Sequence, residues 1–291
     1  MNKINSFYPN LGMSWATVAI WLACSVAIGL PVAIISEITK IDFAGNSWIA
    51  LVCYIIPFIC TAGFIYVIYS IQLHAQKEEI RVIKNLPVLI FPLLLIFTPL
   101  VAFLIEPLTA LISNVTTNLF EQFFKTIFNI ELNLTETITR LLEQVFKADF
   151  ATCLMVVIAA PICEEWLCRG VITKGLLRHG SPLRAILWSA FIFAVIHMNP
   201  WQAVPAFILG MLLGYVYWKT RSLIPCIFIH FVNNGFSFLL LYLFPEADIN
   251  TSTQDIIGNQ YWTIYAAAFV VAIPLGYLLY KVLNKEKVRE Q

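Results

Sequence analysis

Apolar residues run along the chain in eight long stretches, at about 14–37, 47–72, 87–112, 149–177, 183–198, 202–218, 222–244 and 261–283. Each is long enough, or nearly so, to cross a hydrocarbon core of about 30 Å as a helix, which takes roughly 20 apolar residues. The fifth and sixth are the shortest. The third contains Pro92, Pro99 and Pro107, which predicts a kinked helix whose freed backbone groups are satisfied by neighbours. Trp15, Trp48, Trp188, Trp201, Trp218 and Trp262 fall near the ends of these stretches, where an aromatic belt would place them. The first stretch, from Trp15 to Ile35 with only Lys3 ahead of it, is too long for the apolar part of a signal peptide and reads as a retained helix.

One connection is long. Within residues 113–148, Leu134, Ile138, Leu141, Leu142, Val145 and Phe146 recur at helical spacing against Glu136, Arg140, Glu143 and Lys147. This pattern predicts an amphipathic helix lying on the membrane surface. The expected architecture is therefore all-α: a polytopic membrane bundle of about eight transmembrane helices with one interfacial amphipathic helix. It divides into helices 1–3 (residues 1–112), the extracytoplasmic connection (113–148), a core (149–244), and a last helix with a basic tail (245–291).

Charge sets the orientation. With the amino terminus inside, thirteen of the 18 Lys and Arg residues fall in cytoplasmic segments, from Lys3 to Arg289. Lys40, Lys125, Arg140 and Lys147 fall on the opposite side, and Arg169 lies within a span. That bias predicts an integral membrane protein with both termini cytoplasmic. Composition agrees: 60% of residues are hydrophobic, 12% are charged, and mean hydropathy is +0.81. The net charge of +1 comes with no basic stripe, so a nucleic-acid partner is not expected and membrane lipid is. The seven cysteines form no CxxC pair, which argues against a zinc ribbon or a disulfide framework.

A charged side chain at the centre of a membrane helix costs about 2.5–3.5 kcal/mol on insertion scales, yet the fourth stretch holds three: Glu164, Glu165 and Arg169. Glu165 and Arg169 are four apart on one helical face and can pair. Glu164 is turned about 100° away and is left to face a cavity. Two of the four histidines also lie in spans: His197 closes the fifth stretch, and His230 shares a helical face with Asn234 in the seventh. By these boundaries His197 lies toward the extracytoplasmic end and His230 nearer the cytoplasmic end.

Such a set can hydrolyse an amide. A buried glutamate can act as general base on water, and a histidine can share that water. A second histidine and a carboxamide can stabilise an oxyanion. Glu164, His197 and His230 could equally ligate zinc with a position open for water, although no HExxH is present. The other readings of these residues are a buried charged triad that fixes packing in a non-catalytic immunity or scaffold protein, and a proton relay in a proton-coupled transporter.

Glu164-Glu165-xxx-Arg169, Phe193-xxx-His197 and His230-xxx-Asn234 together resemble the CPBP intramembrane proteases, the family of type II CAAX prenyl proteases and of bacteriocin-processing and abortive-infection proteins. The resemblance covers residues 148–240. It implies an eight-helix fold in a plasma membrane of bacterial type, and an endopeptidase acting on a membrane-associated peptide or lipidated protein. Glu164 would be the water-activating base with His197 beside it, His230 and Asn234 would stabilise the oxyanion, and Glu165 and Arg169 would support them. The family is often labelled metalloprotease, but a metal-free scheme accounts for the same residues and is the expectation adopted, with zinc on Glu164, His197 and His230 as the alternative. All four catalytic candidates should meet in one cavity.

Overall fold

A computed structural model describes residues 8–43, 45–69, 86–129, 133, 149–198, 200–244 and 252–285. Among them all regular structure is helical: α1 (Leu11–Thr39), α2 (Ser47–Tyr69), α3 (Ile90–Phe128), α4 (Phe150–His179), α5 (Pro182–Ile196), α6 (Pro200–Thr220), α7 (Leu223–Leu243), α8 (Thr253–Ile257) and α9 (Tyr261–Lys285). Among the described residues seven helices are long and apolar enough to cross a membrane, the last of them, from Thr253 to Asn284, taking in α8 and α9. The exception is α5, whose 15 residues span about 22 Å at 1.5 Å per residue.

Local signals explain the ends. The Asn10 side chain accepts the Met13 N–H at 3.0 Å and starts α1, satisfying one of the donors a helix leaves open at its amino end. Asp149 does the same for α4, accepting the Thr152 N–H at 2.8 Å. Its other carboxylate oxygen receives the Ser47 hydroxyl, so the amino ends of α2 and α4 are fastened together.

The third span departs from expectation. It does not stop at residue 112 but continues unbroken to Phe128, where Asn129 takes the left-handed conformation and ends it. Phe120, Phe124 and Phe128 stack one turn apart along this extension, with centroids 4.7 and 5.3 Å apart. Such i, i+4 aromatic pairs favour the helix despite the polar residues between them. The first part of the expected surface connection is thus α3, and the amphipathic stretch from 134 to 147 lies outside the described residues. Pro99 and Pro107 sit inside α3. In the turn before Pro107, the Leu104 carbonyl receives the Tyr265 hydroxyl of α9 at 2.8 Å, which ties the two helices together beside the proline.

The exterior is apolar, with Val67, Val270 and Ile38 largely exposed, while Ser14, Thr17, Thr61 and Ser189 are buried. Thr17 and Thr61 bond back to carbonyls four residues earlier, at 2.9 and 2.7 Å, and so bring no unmet polar group into the interior. Most of the best-buried apolar side chains, among them Leu167, Ile172, Ile192, Phe193, Leu213 and Ile229, come from α4 to α7, with Ile65 of α2 and Ile90 and Leu94 of α3 as deeply enclosed.

Close approach of α5 and α6 depends on glycine. A Cβ on Gly210 would lie 2.9 Å from the Ala190 Cα, and one on Gly214 would lie 3.2 Å from an Ile186 methyl. Small residues four apart are the usual device by which membrane helices pack backbone to backbone. Gly210→Val should therefore destabilise the protein by about 1–3 kcal/mol through overpacking. Gly63→Ala, where nothing lies within 4 Å, should be neutral or stabilising by up to about 1 kcal/mol. Thermal melting of the two detergent-solubilised variants checks the contrast.

The Asp149 latch carries a pH dependence. The Ser47 hydroxyl, followed by the Thr152 N–H, holds this carboxyl below the usual carboxylate range. A depressed folded value means that its contribution is present above the unfolded value of about 3.9 and is lost as pH falls through the folded one. The acid limb of a melting-temperature profile should accordingly flatten in Asp149→Asn.

Candidate active site

The residues singled out by their chemistry come from three helices. Within α4, π-helical turns at Leu154–Ala159 and Trp166–Thr173 flank a short α-helical piece, Ala160–Glu165. Interruptions of this kind inside a long helix are concentrated at functional sites. Here the α-helical piece carries Glu164 and Glu165 side by side, directed to different surroundings.

Glu165 and Arg169 are both 0% exposed and pair at 2.9 Å. The same carboxylate oxygen also accepts His230 Nδ1 at 3.0 Å. Arg169 Nη2 donates to the Gly210 carbonyl at 3.1 Å, and the guanidinium lies 4.5 Å from the centre of the Phe193 ring. Four helices therefore converge on one buried ion pair: α4 supplies both charges, α7 the histidine, α6 a carbonyl and α5 an aromatic face. Phe193 is also edge-on to His197 and to His230, with centroids 4.8 and 5.6 Å away, so it is the wall between the two histidines.

Glu164 is 14% exposed and His197 20%. Glu164 Oε1 accepts the Tyr54 hydroxyl of α2 at 2.6 Å. Glu164 Oε2 is buried with no hydrogen-bond partner and stands 3.9 Å from His197 Nε2. His197 is the residue on which α5 ends, and its Nδ1 meets the Phe193 carbonyl at 2.7 Å. A carbonyl can only accept, so Nδ1 carries the proton. In the neutral ring Nε2 is then a free lone pair facing the free carboxylate oxygen. The gap is too wide for a direct bond and suits a shared water, about 2.8 Å from each partner.

The depth mismatch expected between His197 and His230 is resolved by the helix ends. Glu164 on α4 and His197 at the end of α5 come level above the turn at Gly180–Ser181, with Oε2 and Nε2 3.9 Å apart. The turn leading into α7 is itself buried at Thr220 and Ser222. That helix starts inside the protein, and His230 reaches the level of Glu165 early in its course.

Asn234 is tied to the same framework. Its Nδ2 donates to the Val156 carbonyl at 2.9 Å, while its Oδ1 accepts from Asn233 Nδ2 at 3.1 Å. The reason lies in the π turn. The Ala160 N–H is taken by the Met155 carbonyl, and the next donor along the helix would be residue 161, which is proline and has none. Val156 is left without an intrahelical donor, and Asn234 supplies one. A second proton on Nδ2 is not used by this bond.

Zinc requires a convergent donor set; His230 has its Nδ1 engaged by Glu165, which leaves Nε2 as its one open ring nitrogen. Among the described residues no group of three or more His, Cys, Asp and Glu side chains is arranged to hold a metal ion, so no step below is routed through one. The contact missed from sequence is Tyr54. A tyrosine in mid-span, away from the ends where aromatic residues gather, was its only signal.

Residues 146–236 match the family model for type II CAAX prenyl endopeptidase Rce1-like proteins. No curated protein and no solved structure matches the chain. The matched segment holds every ionisable residue of this site except Tyr54.

Removing one partner of a buried ion pair strands the other, which costs about 3–5 kcal/mol. Glu165→Gln should lower stability by that order and reduce the yield of folded protein. Unfolding in a graded denaturant, monitored by Trp fluorescence, would measure it; a near-wild-type midpoint would show that Arg169 does not depend on Glu165.

Proposed function

With residues 146–236 carrying a CAAX prenyl endopeptidase-like domain, we propose that the protein is an intramembrane endopeptidase that hydrolyses a peptide bond in a membrane-associated or lipidated peptide. Water activated by Glu164 is the attacking group. The observation that carries this reading is the facing pair of unbonded atoms, Glu164 Oε2 and His197 Nε2, 3.9 Å apart. Both are proton acceptors, and a water between them would be polarised by each.

In the first step Glu164 takes a proton from that water while its oxygen adds to the scissile carbonyl carbon. The carbonyl π pair moves onto oxygen. His230 and Asn234 stabilise the oxyanion: with Nδ1 held by Glu165, His230 presents Nε2–H when its ring carries both protons, and Asn234 offers its second Nδ2 proton. Collapse of the tetrahedral intermediate breaks the C–N bond, and the proton held by Glu164 passes to the leaving amine. Glu165 and Arg169 touch no reacting atom and hold His230 in place. The distribution of Lys and Arg supports cytoplasmic termini.

The test is an internally quenched peptide with S-farnesyl cysteine fourth from its carboxyl end, added to the full-length protein in lipid vesicles. Release of a tripeptide by mass spectrometry would identify the bond. Glu164→Gln should lower kcat by at least about 100-fold, the scale of general-base catalysis, with an unchanged melting temperature. His197→Ala should also lower kcat, and a Glu164→Gln protein with normal turnover would end the reading.

A further inference from the structure

Tyr54 belongs to α2, more than a hundred positions from Glu164 in sequence and outside the family-matched residues 146–236. We propose that Tyr54 is a positioning residue for the hydrolytic reaction: its phenol pins one oxygen of Glu164 so that the other is presented to His197 and the attacking water. The inference rests on the hydrolytic reading above and extends the site to a helix that the reading did not use.

Three observations carry it. The bond is short, 2.6 Å, within the range of an O–H donating to a carboxylate, which is the stronger class of hydrogen bond. It engages Oε1 only; Oε2 is the atom left unpartnered and turned to His197 Nε2. A glutamate has three side-chain torsions, and fixing one oxygen removes rotation about the last of them, which would otherwise exchange the two oxygens.

The donor itself is held firmly. The Tyr54 ring packs on Phe58, one turn along α2, with centroids 5.4 Å apart, and Phe58 packs on Trp21 of α1 at 5.4 Å. Phe58 is fully enclosed. The amino end of α2 is fastened to the start of α4 through Ser47 and Asp149. A rigid stack extending from α1 thus ends on the catalytic carboxylate, and preorganisation of this kind is what turns a base in the neighbourhood into a base in the correct geometry.

A hydrogen bond to the carboxylate also weakens it as a base. Loss of the phenol therefore has two opposing effects, better basicity and worse aim, and the proposal requires that aim dominates. The experiment uses full-length protein in vesicles, the quenched S-farnesyl peptide as probe, and Glu164→Gln in parallel. Tyr54→Phe keeps the ring that packs on Phe58, so its melting temperature should be unchanged.

Its kcat should fall by about tenfold or more with KM within about twofold of wild type, the signature of an interaction used in the transition state and not in binding. A second readout does not need turnover. The carboxylate stretching band assigned to Glu164 by its disappearance in Glu164→Gln should shift in Tyr54→Phe. Equal or faster turnover in Tyr54→Phe overturns the proposal whatever the band does. Turnover surviving in Glu164→Gln removes the hydrolytic reading instead, and the band then decides alone whether Tyr54 holds the carboxylate. Should Tyr54→Phe melt early, Tyr54→Trp, which retains an aromatic ring on Phe58 without the hydroxyl, must give the same loss of kcat for the proposal to stand.

Discussion

Two opposite charges with no exposure to solvent, Glu165 and Arg169, are the constraint around which the other helices are arranged. Taking such a pair out of water is costly, and the cost is offset only when the remaining donors and acceptors find partners of their own. Here those partners are a carbonyl on α6, an aromatic face on α5 and an imidazole on α7. Each helix must be at a definite height and rotation for its contribution to reach the pair. The glycine contact between α5 and α6 is part of the same requirement, since the carbonyl that Arg169 uses belongs to Gly210 itself. Once α4 is locked in this way, the preceding residue has little freedom: Glu164 is held about 100° around the helix from Glu165, clear of the cation and available to a different set of neighbours.

Much of this was legible in the sequence because membrane helices announce themselves by composition. Apart from the end of α3, helix starts and stops lie within a few residues of the apolar stretches, and the spacing of Glu165 and Arg169 already specified a pair. What escaped has physical reasons. The extension of α3 is polar enough to look like a connection, and it is sustained by a row of phenylalanines whose effect appears only when they are stacked on a helix. The π turns of α4 leave no periodic signature in so short a span. The tie between Asn234 and Val156 depends on a missing N–H at Pro161 combined with a shifted register, neither of which suggests the other. Tyr54 is a single contact across more than a hundred residues, and no local pattern carries information of that kind.

The two halves of the chain consequently have different parts. Helices α4 to α7 hold the chemistry, and the segment that matches the family model lies among them. Helices α1 and α2 pack against each other and reach the chemistry through one hydroxyl, while α3 lies against α6, α7 and α9 from another side. Substitutions in the first half can thus act on the site without touching it, through the register of α2 along α4.

The shortness of α5 has a further effect. A helix that stops partway through hydrocarbon exposes the carbonyls of its last turn at a depth where lipid can offer them no donor. His197 provides for one of them, at Phe193, and the N–H of Met198 for another, at Val195. The chain then reverses through Met198 in a left-handed conformation, φ 47. Backbone left bare at such a place must border protein or water. The short helix that delivers an imidazole to Glu164 is therefore also a wick: backbone left bare at the end of α5 would hold water beside the pair that a hydrolytic reaction would use.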